Sequence, residues 1–178
     1  MPAAPPAYDA ADPRAYVANV LALVGDRDPL ALLDAAPDRV AAAVAGLSDA
    51  DARRPPRPGG WSALGVLRHL ADSEVVYGYR LRLIVAADRP EIVGYDQDAW
   101  AERLHYGRGT VAEALDDWRA GRRTTVRFLR ALDAGDWDRV GLHSERGEES
   151  VRRVATLLAG HDLNHERQIA AAREALGV

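Results

Sequence analysis

The sequence predicts an all-α protein: a four-helix bundle with an extra N-terminal helix. Three observations predict it. Apolar residues recur at helical spacing through four long stretches. Those stretches are bounded by capping residues, prolines and glycines. No stretch reads as a strand, and no internal repeat is present.

Residues 1–12, rich in Ala and Pro, are expected to be loose, and 13–178 read as a single domain. Asp12-Pro13 opens a first helix in the cap-then-proline manner, and Gly25 closes it. A second helical region covers Asp28 to Leu47, with Val40, Val44 and Leu47 as its buried stripe. Pro37 is expected to split it, because a mid-helix proline removes one backbone donor. The run ARRPPRPGGW forbids a helix and forces an extended turn. A long helix then runs from Trp61 to about Ala87 on Leu64, Leu67, Leu70, Val75, Leu81 and Ile84.

Asp88 to Gly109 is long for a connector and is expected to hold a short helix from about Asp96 to Leu104. Thr110 to Leu132 is the next long helix, with Val111, Leu115, Trp118, Val126 and Leu129 on one face. Asp133 to Glu149 reads as a polar loop. Ser150 caps a last helix that reaches about Ala175.

Composition narrows the function. The chain of 178 residues carries a net charge of −4, which argues against a broad nucleic-acid surface. Basic doublets such as Arg122-Arg123 and Arg152-Arg153 read as solvated helix faces. Cysteine is absent, which removes thiolate catalysis, disulfides and sulfur-ligated zinc. Lysine is absent too, which removes Schiff-base chemistry. The N-terminus has neither the basic region nor the apolar core of a signal peptide, and no apolar run reaches bilayer length. A cytoplasmic protein acting on a small molecule, without nucleic acid or membrane, is the expectation.

The chemistry concentrates in GHDLNHERQI, where His161 and His165 are four residues apart. At 100° per residue both fall on the apolar stripe of Val154, Leu157, Leu158, Ile169 and Ala172, with Gln168 beside them. Two readings are open. The pair are core histidines satisfied by hydrogen bonds, or they are two ligands of one ion, since i and i+4 converge on one side. His69 in GVLRHLADSE is a candidate third ligand, with Gly65, Ser73 and Val76 near it on the same stripe, and Gly65, one turn earlier, leaves room beside it. Three imidazoles with open coordination positions suit a catalytic metal. His105 and His143 lie in expected loops and make poorer ligands. A carboxylate-bridged di-iron centre needs inward Glu-x-x-His pairs, and the last helix offers His-x-x-x-His instead.

At these residues the chain resembles a known family. PGGWSALGVLRHLADSE, YDQDAWA and HSERGEESVRRVATLLAGHDLNHERQI, in that order, resemble motifs of the DinB/YfiT-like superfamily from about Asp28 to Ala175. The resemblance implies a divalent metal on His69, His161 and His165, an up-down-down-up bundle order, and frequent homodimers. It places His143 near the pocket, with Gln97 and Trp100 on a covering loop; His143 and Gln97 are the candidate catalytic residues. Asp72 and Glu74 are candidates to orient His69, to face solvent, or to pair with Arg68 or Arg80. Trp61 reads as core.

The resemblance further implies transfer of a low-molecular-weight thiol, such as bacillithiol or mycothiol, by a metal that activates it. Hydrolysis by metal-activated water is the alternative, and a non-catalytic metal-binding stress protein is the third reading. Nickel or zinc is expected, with iron and manganese also compatible with imidazole ligands.

Overall fold

The computed structural model describes residues 13–178; the expectations for 1–12, including Asp12 as a cap, lie outside the described residues. Helix α1 spans Pro13–Val24, α2 Pro29–Val44, α3 Asp49–Ala52 and α4 Ala63–Ala86. Strand β1 (Glu91–Ile92) and α5 (Gln97–Arg103) follow, then α6 (Val111–Arg130). A 3-10 turn at Ala134–Asp138 leads into β2 (Val140–His143), β3 (Gly147–Ser150) and α7 (Val151–Leu176).

The long helices start where their caps predict. Asp28, Ser62, Thr110 and Ser150 each accept backbone N–H bonds with their side chains. Thr110 and Glu113 form a reciprocal capping box.

Helices α2, α4, α6 and α7 form the bundle, and α1 packs along α7. Side-chain pairs fix the directions. Arg68 near the start of α4 pairs with Asp117 near the start of α6, so these two run parallel. Asp34 early in α2 pairs with Arg130 at the end of α6, so those two are antiparallel. Arg39 of α2 pairs with Glu166 of α7, and Arg173 donates to the Ala43 carbonyl, so α2 and α7 run together. The order is up-down-down-up.

Three expectations need correction. Pro37 does not split α2, which is continuous across it. The bond that Pro37 cannot make would have gone to the Leu33 carbonyl, and Arg122 Nη1 donates to that oxygen instead at 3.3 Å. Val75 is 67 % exposed. The buried face of α4 passes there through Ser73, Glu74 and Gly78, polar or small positions that counting apolar residues skips.

The expected absence of strands also fails. A three-stranded sheet, β1 parallel to β2 and β2 antiparallel to β3, replaces part of the two polar loops. Its strands have two to four residues, too few for alternation to register. Gly141 lets it lie against α4, since a Cβ there would come within 2.9 Å of Ile84.

The core has two apolar halves. One gathers Leu33, Leu81, Ile84, Val126, Leu129, Val154 and Leu158. The other gathers Val40, Leu64, Leu67, Leu70, Leu115, Trp118 and Ile169. Between them along the helices lies a buried polar layer: His69, Ser73 and Glu74 on α4, Arg122 and Thr125 on α6, and His161, Asp162 and His165 on α7.

Candidate metal centre

The structure brings His69, His161 and His165 together, all buried, with one nitrogen from each within 4.8 Å of the others. His69 and His161 face each other with Nε2 atoms 2.9 Å apart. Two ligands at about 2.0–2.1 Å from one ion stand at comparable spacing. The Nδ1 atoms of His69 and His161 are buried without a hydrogen-bond partner among the described residues. His165 donates from Nδ1 to Gln168 Oε1 at 2.8 Å, which leaves its Nε2 lone pair for the shared centre. The donor set therefore fits a divalent ion with imidazole ligands.

Burial keeps His69 and His165 neutral. Burial holds His69 well below its usual range, and His165 and His161 add to that. Burial brings His165 down to about 3, with His161 adding, against opposing contributions from Gln168 and Asp162. Neutral imidazole is the form that binds metal.

A cavity of ≈ 100 Å³ opens beside His69 and His161. Its walls include Tyr16, Val17 and Val20 of α1, Tyr77 and Arg80 of α4, Tyr95 and Gln97 of the β1–α5 segment, and Glu145 and Arg146 of the hairpin. The Ser73 hydroxyl links two parts of the site, lying 3.3 Å from His69 Nε2 and 3.3 Å from the Tyr95 hydroxyl. Trp100 packs against Tyr95 with ring centroids 4.7 Å apart. Burial pushes Tyr77 up to about 12, so its hydroxyl stays protonated at neutral pH.

Other expected site residues fall as follows. Gln97 lines the cavity. His143 is buried at the end of β2; its Nδ1 accepts from the Glu145 N–H and its Nε2 has no hydrogen-bond partner among the described residues. It is not among the residues that line the cavity. Burial, then Arg146 and Arg80, lowers His143 to about 4. His105 is exposed, at a left-handed φ of 58°.

Trp61 sets its ring edge-on to His69 at 4.8 Å. Gly65 does not open space at the site, since a Cβ there would touch Ser62 and Trp61. Asp72 accepts from the Tyr106 hydroxyl at 2.6 Å. Arg68 pairs with Asp117 and Glu113, and Arg80 donates to the Val93 carbonyl.

Glu74 pairs with Arg122, which is the largest departure from the sequence reading. Arg123 is exposed as expected, but Arg122 is buried in the polar layer. Sequence reasoning passed over Tyr77 and Arg146 as cavity residues. Ser73 stands beside His69 as its position one turn later on the same stripe implies.

Residues 32–169 match the family model described as the DinB superfamily. A protein of Oceanobacillus iheyensis, named "Putative metal-dependent hydrolase", is 32% identical over 109 residues, 61% of this chain and 63% of its own length. The chain therefore matches less than two thirds of that relative. A Bacillus mycoides protein of the same descriptive name is 29% identical over 79% of this chain and 80% of its own. Among solved structures, YfiT from Bacillus subtilis superposes with a TM-score of 0.78 at 24% identity, over 84% of this chain and 86% of that one. It is described as a probable metal-dependent hydrolase with an unusual four-helix bundle topology, and the fold is shared. By its sequence match over most of its length, the chain belongs to the DinB superfamily.

Proposed function

We propose that the chain is a metal-dependent enzyme that transfers a low-molecular-weight thiol to an electrophilic substrate. The observation that carries this reading is the convergence of three buried imidazoles beside an open cavity. His69, His161 and His165 would hold a divalent ion, nickel or zinc by preference of the nitrogen donors. Such an ion with free positions lowers the pKa of a bound thiol and supplies a nucleophile near neutral pH.

The chain's own residues do the rest. Gln168 fixes the ring of His165. Arg80 and Arg146 bring guanidinium groups to the cavity wall, where they suit the carboxylates of a small thiol. Tyr95 and Gln97 wall the cavity beside Trp100 and would hold the electrophile by ring contact and amide hydrogen bonds. Tyr77, protonated and beside His161, can donate its O–H to charge that develops on the leaving group. With no cysteine in the sequence, the thiol comes from outside the chain.

Hydrolysis is the second reading, and the descriptive names of the relatives favour it. His143 is then a poor base, because it does not line the cavity; Glu145 does. The test is elemental analysis of tag-free protein beside the variant lacking all three histidines, followed by turnover assays. One equivalent of metal in the parent and little in the variant, with turnover that requires an added thiol, is the expected result. Turnover without thiol moves the assignment to hydrolase. Metal binding without either activity leaves a metal-binding protein.

A further inference from the structure

Arg122 places all five of its N–H groups inside the polar layer. Nε and Nη2 donate to Glu74 Oε2 at 3.0 and 2.8 Å. Nη1 and Nη2 donate to Asp162 Oδ2 and Oδ1 at 2.5 and 3.1 Å. Nη1 also reaches the Leu33 carbonyl at 3.3 Å. The cluster ties α2, α4 and α7 to α6. Gly121 makes room for it, since a Cβ there would stand 2.8 Å from Glu74 Cγ.

Burial opposes the charge on Arg122, but Asp162 and Glu74 outweigh it and raise its pKa. The side chains of all three are 1% exposed. Buried ion clusters of this kind are a poor source of net stability, because the desolvation cost is large. What the cluster adjoins gives a better reason for it.

It adjoins the histidines on both sides. Asp162 follows His161, and its Oδ1 stands 3.9 Å from His161 Nδ1, a buried nitrogen with no hydrogen-bond partner among the described residues. Glu74 follows Ser73, whose hydroxyl contacts His69. Glu74 Oε1 is itself buried without a hydrogen-bond partner among the described residues. Two carboxylates face one guanidinium, so the cluster holds more acid than base next to the three rings.

We infer that Asp162, held in place by Arg122 and Glu74, is the outer carboxylate of the metal centre: it faces the Nδ1–H of His161, orients that ring, and sets negative charge beside the ion. Metal-bound histidines commonly point their second N–H at such a carboxylate, which strengthens the ligand. Arg122 and Glu74 are positioning residues that act through Asp162. The inference rests on the reading that the three histidines hold a metal.

The experiment measures affinity for zinc and cobalt by chelator competition, and the visible spectrum of the cobalt-loaded full chain. It compares the parent, Asp162→Asn and Glu74→Gln, both near-isosteric. Asp162→Asn should weaken binding by about ten- to a hundred-fold and shift the cobalt bands. Glu74→Gln should act in the same direction. Arg39→Gln, which removes the Arg39–Glu166 pair between α2 and α7, should lower the melting temperature and leave affinity and spectrum as in the parent.

If Asp162→Asn does not fold, Glu74→Gln decides the matter, with the rise in melting temperature on adding zinc as a second readout. Parent-like affinity and spectrum in the variants, with metal still lost on removing the three histidines, overturns this inference and spares the metal site. A parent that binds no metal overturns both.

Discussion

Gln168 Oε1 accepts a hydrogen bond from His165 Nδ1 at 2.8 Å, from less than a turn farther along the same helix. The bond selects the tautomer with its lone pair on Nε2 and fixes the ring about its Cβ–Cγ axis. Gln168→Leu removes the acceptor and leaves a buried N–H unpaired. Zinc affinity should fall by about ten- to a hundred-fold while helicity is retained. Chelator competition and circular dichroism on one sample check both halves, and unchanged affinity would show that packing alone holds His165.

Pro37 and Arg122 meet at the Leu33 carbonyl. An interior proline costs about 3 kcal/mol relative to Ala in a helix, but that figure includes a stranded acceptor, and here the acceptor has a partner. Pro37→Ala should therefore stabilise the fold by less, on the order of 1 kcal/mol, offset by the freer unfolded chain. Urea unfolding measures it. A gain near the full helix value would mean that the Arg122 bond contributes little.

These two relationships show what the sequence made legible and what it did not. His161 and His165 are readable because a helix converts a four-residue spacing into a shared face, and His69 because it sits mid-helix. The capping box at Thr110 and Glu113 is local, and so it is visible. Arg122 is not readable, because its burial depends on Glu74 and Asp162, 48 and 40 positions away. Alone, it looks like half of a solvated doublet with Arg123. The sheet hides for the same reason: two-residue β1 exists by pairing with β2, more than forty residues later. Tyr77 and Arg146 reach the cavity through the same long-range packing.

Acid should destabilise the metal-free protein. His143 and His165 are held by burial at about 4 and about 3, and an unfolded histidine titrates near 6.5. Between those values the unfolded chain binds more protons than the folded one. Stability is therefore at its full value above about pH 6.5 and falls as pH drops through the window toward 4. The urea midpoint of metal-free protein should be lower at pH 5 than at pH 7.5. His143→Asn keeps an acceptor for the Glu145 N–H and removes one titrating group, so its midpoint should fall less over the same interval. Equal slopes would place the acid sensitivity elsewhere.

Gly160 sets how closely α1 approaches the site. A Cβ at Gly160 would lie 2.2 Å from the Val20 carbonyl oxygen and 2.7 Å from its carbon. Backbone cannot yield as a side-chain tip can, so Gly160→Ala must move α1 or α7. Helix α7 is held on its other sides by α2 and α4, and α1 contributes Tyr16, Val17 and Val20 to the cavity wall from outside the family match at 32–169. The helix that gives way is α1. The variant should lose about 1–3 kcal/mol, the usual range for overpacking. Trypsin should then cut faster at Arg27, in the connector to α2, while zinc affinity changes little because the three ligands sit on α4 and α7. A variant that melts like the parent and protects Arg27 equally would mean that α1 does not pack on α7 at this turn.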